Sequence, residues 1–402
     1  MKILVVTNSC TDEKYKSICE IRKYKMIDPQ QKFFRLFIDG LGQTDGCDVE
    51  VLSALPVSAS TVDKYIFGYE QDINDYGTKY HYLPFFNGRF TRYISLTLAA
   101  YVYTKKWCQK YKHEPCCLIV DPLMPVLAIP SKYIAKQNGI KSVAIVTDIP
   151  TLATKMKERK GSSFKEKCVE VYENISDNDL KSYDAYITLT ESINDKVNIN
   201  NKPHCIVEGF ADSSDTLVSD VHDNYLMYAG GIFEKYGVKN LVEAFIALNR
   251  KDIKLYIFGE GTYVEELLEV CKTHSNVKYM GCVTPDEVVE YEKKALLLIN
   301  PRPTNEEFAK YSFPSKTMEY LLSGTAVVST KLPGIPEEYF NYMFAFDDYG
   351  VNGIQEKLKE ILSLSLEEIN SMGRKGHDFV INEKSNRGMA NKIYDFLKRE
   401  LL

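Results

Sequence analysis

The residues most suited to chemistry in this chain stand beside glycines and at the ends of apolar runs. In Leu226-Met227-Tyr228-Ala229-Gly230-Gly231-Ile232-Phe233-Glu234-Lys235-Tyr236-Gly237-Val238, an apolar run meets paired glycines and then a helical pattern through Asn240 to Phe245. Gly230 and Gly231 let the backbone approach a ligand with no Cβ in the way. A helix opening there would turn free N–H groups and a positive dipole end toward an anion such as phosphate, and Lys235 would add a full charge. The same pattern fits a plain strand-to-helix turn, and the segment alone leaves both readings open.

A second group follows. Asn300-Pro301-Arg302 ends another apolar run, and after an acidic loop comes Lys310-Tyr311-Ser312-Phe313-Pro314-Ser315-Lys316-Thr317-Met318-Glu319-Tyr320-Leu321-Leu322-Ser323-Gly324-Thr325. Ser315 is placed to cap a helix, which would aim the amides of Lys316 and Thr317 at an anion. Glu319 falls one turn later on the same face, where a carboxylate can accept both hydroxyl protons of a ribose. The plainer alternative is a solvated helix residue, but Leu321, Leu322 and the Gly324 stop point to a largely buried helix. A third candidate is Asp148 in Val146-Thr147-Asp148-Ile149-Pro150, at the end of a strand-like run. It reads equally as an acceptor-binding residue or base and as the cap of the next segment.

Metal chemistry has little to build on. The ten cysteines form no Cys-x-x-Cys pair and no zinc spacing, and the six histidines sit in no catalytic motif. An Asp-x-Asp at Asp177-Asn178-Asp179 lies in a helix-like polar segment and carries little weight. Scattered cysteines on apolar elements are expected to be small buried hydrophobes in a reducing cytosol. Gly88 to Lys112 holds six Lys/Arg and no acid, interleaved with aromatic and aliphatic residues, and Lys155 to Lys167 holds six Lys/Arg against two Glu. Both stretches suit an anionic membrane surface. They suit equally a buried amphipathic helix with a solvated basic edge.

The elements that must position these residues alternate as βα units. Strands are expected at Ile3–Thr7, Val49–Leu52, Cys117–Val120, Ser142–Val146, Ala185–Leu189 and Cys205–Val207. A second series runs Leu226–Tyr228, Lys254–Phe258, Val277–Tyr279, Ala295–Ile299 and Ala326–Ser329. The polar segment 211–224 separates the series and reads as a linker. Residues 386–402 read as a helix with an apolar stripe of Met389, Ile393, Tyr394, Phe396 and Leu397. With 402 residues, 45% hydrophobic and a net charge of −5, the chain has the balance of a folded protein. It lacks the positive excess of a general nucleic-acid binder. The opening Met1 to Thr7 is too short for a signal peptide, and the uncharged stretch Tyr93 to Thr104 too short for a membrane span.

Taken in order, Gly230-Gly231, Phe258-Gly259-Glu260-Gly261, Val277 to Val283, Phe313 to Tyr320 and Gly324-Thr325-Ala326-Val327-Val328 resemble the retaining GT-B glycosyltransferases of family four. The likeness is greatest to bacterial capsule and exopolysaccharide enzymes. It is specific over Tyr225 to Glu338 and architectural over the N-terminal half. The resemblance implies an α/β, GT-B fold of two Rossmann-like doubly wound domains facing a cleft. Residues 1–210 would bind the acceptor, 225–385 the nucleotide-sugar, and the helix 386–402 would cross back onto the first domain.

Residue by residue, the resemblance implies that Gly230 and Gly231 face the diphosphate. Glu319, matching the second Glu of a Glu-x7-Glu motif, would hold the ribose. The loop Ser312–Lys316 (Ser312, Phe313, Pro314, Ser315 and Lys316), with Tyr311 before it, would meet the donor sugar and phosphates. Gly259 and Gly261 would line the nucleotide side, and Cys282 and Val283 would meet the base through backbone atoms. Asp148, Glu319 and Lys316 are the expected catalytic residues. Three departures stand out. Tyr311 replaces the motif's first Glu, Gly231 and Tyr236 stand where Arg and Lys are usual, and Asn8-Ser9-Cys10-Thr11-Asp12 lacks the usual Gly-Gly.

The implied activity is metal-independent, hexosyltransferase-type transfer from a nucleotide-sugar, expected to be UDP-linked, with no cofactor. The acceptor would be a glycan or a lipid-linked glycan in polysaccharide biosynthesis. The expected site is the cytoplasm, peripherally on the inner face of the plasma membrane, with no nucleic-acid partner. Two alternatives are another two-domain nucleotide-sugar enzyme such as an epimerase, and a catalytically silent binding homologue, which Tyr311 makes thinkable.

Overall fold

Runs of β-branched and apolar residues, each closed by a polar turn, build two mainly parallel sheets. A computed structural model describes residues 1–23, 29–149, 174–212 and 222–401. Met1–Phe210 with Asn386–Leu402 form one compact unit, and Ala211–Ser385 the other.

The first unit holds β1 (Lys2–Thr7), β2 (Asp48–Ser53), β3 (Ile66–Phe67), β4 (Glu70–Ile73), β5 (Lys79–Tyr82), β6 (Phe85–Phe86), β7 (Cys116–Val120), β8 (Lys141–Val146), β9 (Ala185–Thr188) and β10 (His204–Ile206). Its main sheet runs β10-β9-β8-β7-β1-β2-β5-β4. Val5 of central β1 lies opposite Val51 of β2 and Ile119 of β7, and all three are fully buried, as a parallel strand covered on both faces requires. The edge escapes the sequence pattern. β4 reads Glu-Gln-Asp-Ile and pairs antiparallel with β5, while β3 and β6 form a separate antiparallel pair. The strand expected at Cys205–Val207 lies one residue earlier.

The C-terminal helix Asn386–Leu401 belongs to this unit and buries Met389, Ile393, Phe396 and Leu397. It crosses the helix Pro29–Gly42 so closely that a Cβ on Gly40 would lie 2.2 Å from the carbonyl oxygen of Asn386. Tyr394 donates its hydroxyl to the carbonyl of Gly46 at 2.6 Å. Among the described residues, no helix is long and apolar enough to cross a membrane.

The second unit is a six-stranded parallel sheet of β11 (Tyr225–Ala229), β12 (Lys254–Phe258), β13 (Val277–Gly281), β14 (Leu297–Asn300), β15 (Val327–Thr330) and β16 (Phe344–Phe346). The order is β13-β12-β11-β14-β15-β16, a doubly wound arrangement whose direction of winding reverses between β11 and β14. The short edge strand β16 is a further element the apolar pattern does not reveal. Most of the segment 211–224 lies outside the described residues. Its first residue, Ala211, bridges Ser385 and donates its N–H to the carbonyl of Lys384 at 2.8 Å.

Candidate functional site

Open doubly wound sheets bind ligands outside the carboxyl ends of the strands, where the winding reverses. In the second unit that point lies between Gly230, after β11, and Pro301-Arg302, after β14. The end of β11 is pinned by Tyr320 of the helix Ser315–Leu322. The Ala229 N–H donates to the Tyr320 hydroxyl oxygen at 2.8 Å, and the hydroxyl reaches the Ala229 carbonyl at 3.3 Å. The glycine turn is then laid against the loop after β12. Gly230 donates to the carbonyl of Phe258 at 3.1 Å, and Ile232 to that of Glu260 at 2.8 Å.

That stacking is what the later glycines permit. Gly259 has φ +126°, and a Cβ on it would lie 1.9 Å from the Gly230 carbonyl oxygen. A Cβ on Gly261 would lie 2.0 Å from the carbonyl oxygen of Ile232. The structure therefore brings Gly230, Gly231, Gly259 and Gly261 together as two backbone turns in contact. Exposed Cys282 and half-buried Val283 follow β13. The Cys282 thiol is pushed up by burial and by its hydrogen bond with Glu260, so it joins the edge of the same loop cluster.

Several expected roles change. No helix opens after Gly231. A 3-10 turn, Glu234–Tyr236, intervenes, Gly237 takes φ +77°, and the helix begins only at Val238. The Lys235 ammonium rests over the rings of Phe233 and Tyr236, at 5.6 and 5.5 Å. Ser315 is not the cap of its helix. It is the first helical residue, with Pro314 before it and no side-chain cap, because extended Pro314 (φ −68°, ψ 111°) turns its own carbonyl to accept from the Thr317 N–H at 2.8 Å. The Thr317 amide is thereby taken.

Phe313 and Pro314 are buried, and Phe313 packs on Tyr339 with ring centroids 5.4 Å apart, so these two hold the loop from inside. Tyr311 and Ser312 are half-buried in front of them. Lys316 is not a free phosphate cation either. Its ammonium binds Glu292 at 2.9 Å and also Glu319. Glu292, on the helix Pro285–Lys294, is completely buried. Burial, then the charge of Glu319, pushes the Glu292 carboxyl up, with Lys316 opposing. Burial alone would lower the Lys316 ammonium, but its two carboxylate neighbours raise it. Glu319 keeps its place one turn into the helix, with Lys316 on one oxygen.

The cation that the sequence reading passed over is Arg302. Its guanidinium lies 4.7 Å above the Tyr236 ring and 5.6 Å from that of Phe308. No carboxylate among the described residues pairs with it, and burial depresses its basicity. Arg302 is half-buried, and a partly desolvated charge without an ion partner is a natural place for an anion to bind. The signal lay in view, because Arg302 stands two residues past the end of a buried strand. The departures at 231 and 236 are also physically linked. A Cβ on Gly231 would meet the Tyr236 ring at 2.9 Å and that of Phe233 at 3.0 Å, so the ring fills the space a side chain at 231 would need.

In the first unit, Asp148 follows β8. Its carboxylate accepts the Ile149 N–H at 2.7 Å, and burial pushes its pKa up; the segment it would cap, from residue 150, lies outside the described residues. The winding of this sheet reverses elsewhere, between β1 and β7. Asp121 follows β7 there. It is fully buried, accepts from the Leu123 N–H at 3.0 Å, and is pushed up to about 7 by burial. Of the Asp-x-Asp, Asp179 is held by Lys132 and Tyr183. Cysteines 10, 108, 117 and 205 are buried as expected, but Cys19 and Cys282 are exposed. The basic stretch 155–167 lies outside the described residues.

Residues 223–363 match the family profile described as Glycosyl transferases group 1. Among curated protein sequences none matches the chain. Sucrose-phosphate synthase from Thermosynechococcus elongatus shares the fold with a TM-score of 0.65 at 12% identity, over 99% of each chain. A trehalose-6-phosphate protein from E. coli, bound with UDP-2-fluoro glucose, gives 0.64 at 9% identity over 99% of each chain. HepE of Anabaena, in complex with UDP, gives 0.60 at 11% identity over 99% of this chain and 100% of that one. The chain thus has the two-domain α/β fold of GT-B glycosyltransferases, and the residues that match the glycosyl transferases group 1 profile lie in its second unit.

Proposed function

We propose that this protein is a retaining, metal-independent hexosyltransferase, using a UDP-sugar to extend a glycan or lipid-linked glycan in capsule or related polysaccharide synthesis. The observation that carries the reading is Arg302, a half-buried guanidinium without a carboxylate partner among the described residues, at the point where the second sheet reverses its winding, beside the paired glycine turns. The structural relatives bound to UDP and to a UDP-sugar analogue support the donor class.

Transfer breaks the bond between the anomeric carbon and the leaving phosphate oxygen and forms one to an acceptor hydroxyl. The path runs through an oxocarbenium-like state. The growing diphosphate charge would be met by Arg302, by the Gly231 amide and by the first amides of the helix Ser315–Leu322, the Gly230 amide being engaged by Phe258. Glu319, held in place by Lys316, would accept the ribose hydroxyls. Lys316 therefore acts as a positioning residue here. Asp148, in its ionised form, would orient the acceptor hydroxyl or take its proton.

The test is nucleotide binding and product analysis. A charge-assisted hydrogen bond from the guanidinium to phosphate is worth about 1.5–3 kcal/mol, so in Arg302→Gln UDP affinity should fall roughly 10- to 150-fold while uridine, which has no phosphate, binds unchanged. Equal UDP affinity in the variant would overturn the assignment. The anomeric configuration of the product, read by NMR, decides retention. Turnover in the presence of a chelator decides metal independence. Tyr311 and the engagement of Lys316 by two carboxylates favour one second reading, a nucleotide-binding homologue without turnover. UDP release only when an acceptor is present would exclude it.

A further inference from the structure

The helix Thr91–Lys110 is apolar on two opposite faces. Its inner face buries Leu96, Ala99, Ala100 and Trp107, and Thr104 donates its hydroxyl to Ser131 at 2.9 Å. The outer face repeats at helical spacing with Phe90, Ile94 and Leu98, which are 69, 62 and 61% exposed, and continues through Tyr101 and Val102. The β3–β6 pair extends this surface. Phe86 donates its N–H to the Ser95 hydroxyl at 3.1 Å, the Tyr65 ring lies 6.1 Å from that of Phe86, and Ile66 is 60% exposed opposite it. Large side chains of roughly 150–250 Å² each, about half exposed, make a continuous patch of several hundred Å², beyond what a soluble monomer usually leaves bare.

Charge selects the occupant. The helix carries no Asp or Glu. Exposed Lys64 and Arg89 flank the patch at one end, and exposed Lys105 and Lys106 at the other. Lys110 is already engaged by Glu50, at 3.0 Å. The cations therefore stand at the rim of an apolar stripe, as on a helix lying in a membrane interface with its apolar face down and its cations level with the headgroups.

We propose that this face docks on an anionic phospholipid bilayer, with Phe90, Ile94 and Leu98 entering the acyl boundary and Arg89, Lys105 and Lys106 meeting lipid phosphates. The inference goes beyond the transferase reading, because it rests on exposure and charge alone. It would place the first unit at the surface where a lipid-linked acceptor is found.

Flotation of the full-length protein with vesicles tests it. Binding is expected to vesicles of equal parts phosphatidylcholine and phosphatidylglycerol, to be weak on phosphatidylcholine alone, and to fall with added salt. Ile94→Ser with Leu98→Ser should lower partitioning by on the order of tenfold or more. Lys105→Gln with Lys106→Gln should lower it about fivefold per charge. These four residues are exposed, so the thermal transition should not move, and the lysine pair stands as the test should the serine pair fail to fold. Failure to bind anionic vesicles, or binding by both double variants equal to that of the unaltered protein, overturns the proposal. So does sedimentation showing a dimer that the serine variant dissociates, since the occupant would then be a second copy. UDP binding, measured in parallel, is expected to be the same in all these proteins, which keeps the two readings separately testable.

Discussion

Gly259→Ala tests the claim that the candidate donor site is built by two backbone turns pressed together. At φ +126° an L-residue sits in a sparsely populated region that costs about 1–3 kcal/mol. The added Cβ would also lie 1.9 Å from the Gly230 carbonyl oxygen. That neighbour is backbone, so no rotamer change relieves the overlap, and the turn must move at about 1–3 kcal/mol more. The sum is about 2–6 kcal/mol. Gly281→Ala is the control within the same unit. Its φ is +73°, with nothing within 4 Å of the new Cβ, so the left-handed cost of about 1–2 kcal/mol stands alone. Urea unfolding of both variants, followed on the transition of the second unit, gives the difference directly. Because the displaced Gly230 also loses its hydrogen bond to Phe258, Gly259→Ala should weaken UDP binding more than Gly281→Ala does. Equal destabilisation by the two substitutions would refute the reasoning, since backbone contact would then contribute nothing.

Tyr320→Phe removes the acceptor of the buried Ala229 N–H and should cost about 1–3 kcal/mol in urea unfolding, with weaker UDP binding as β11 loses its tie to the helix of Glu319. Asp121 makes a pH prediction. Its carboxyl is raised to about 7 in the folded state, so the unfolded chain releases its proton first, and stability falls as pH climbs from about 4 to about 7. The loss approaches the order of 4 kcal/mol, from about three pKa units at 1.36 kcal/mol each. Asp121→Asn, whose amide oxygen can keep the Leu123 hydrogen bond, should flatten that fall in melts taken across the range. Parallel profiles for the two proteins would refute the assignment.

The sequence shows the sheets more clearly than the site, and the reason is the range of the interactions involved. Strands such as Ile3–Thr7 and Leu226–Tyr228 announce themselves because burial on both faces demands an unbroken apolar run. β4 and β16 do not, because an edge strand is free of that demand. The side chains of the site take partners that spacing along the chain cannot show. Lys316 reads as available until Glu292, on another helix, claims it, and Ser315 reads as a cap until the extended backbone of Pro314 supplies the acceptor instead. The departures from the family pattern are the sharper case. Read along the chain, Gly231 and Tyr236 look like two lost cations. In the fold, the Tyr236 ring fills the volume beside Gly231, and Arg302 lies on that ring. β11 and β14 are neighbours in the sheet though about 70 residues apart in sequence. A charge missing after one strand can therefore be supplied after the other, and substitution at 231 or 236 should be judged by what it does to Arg302.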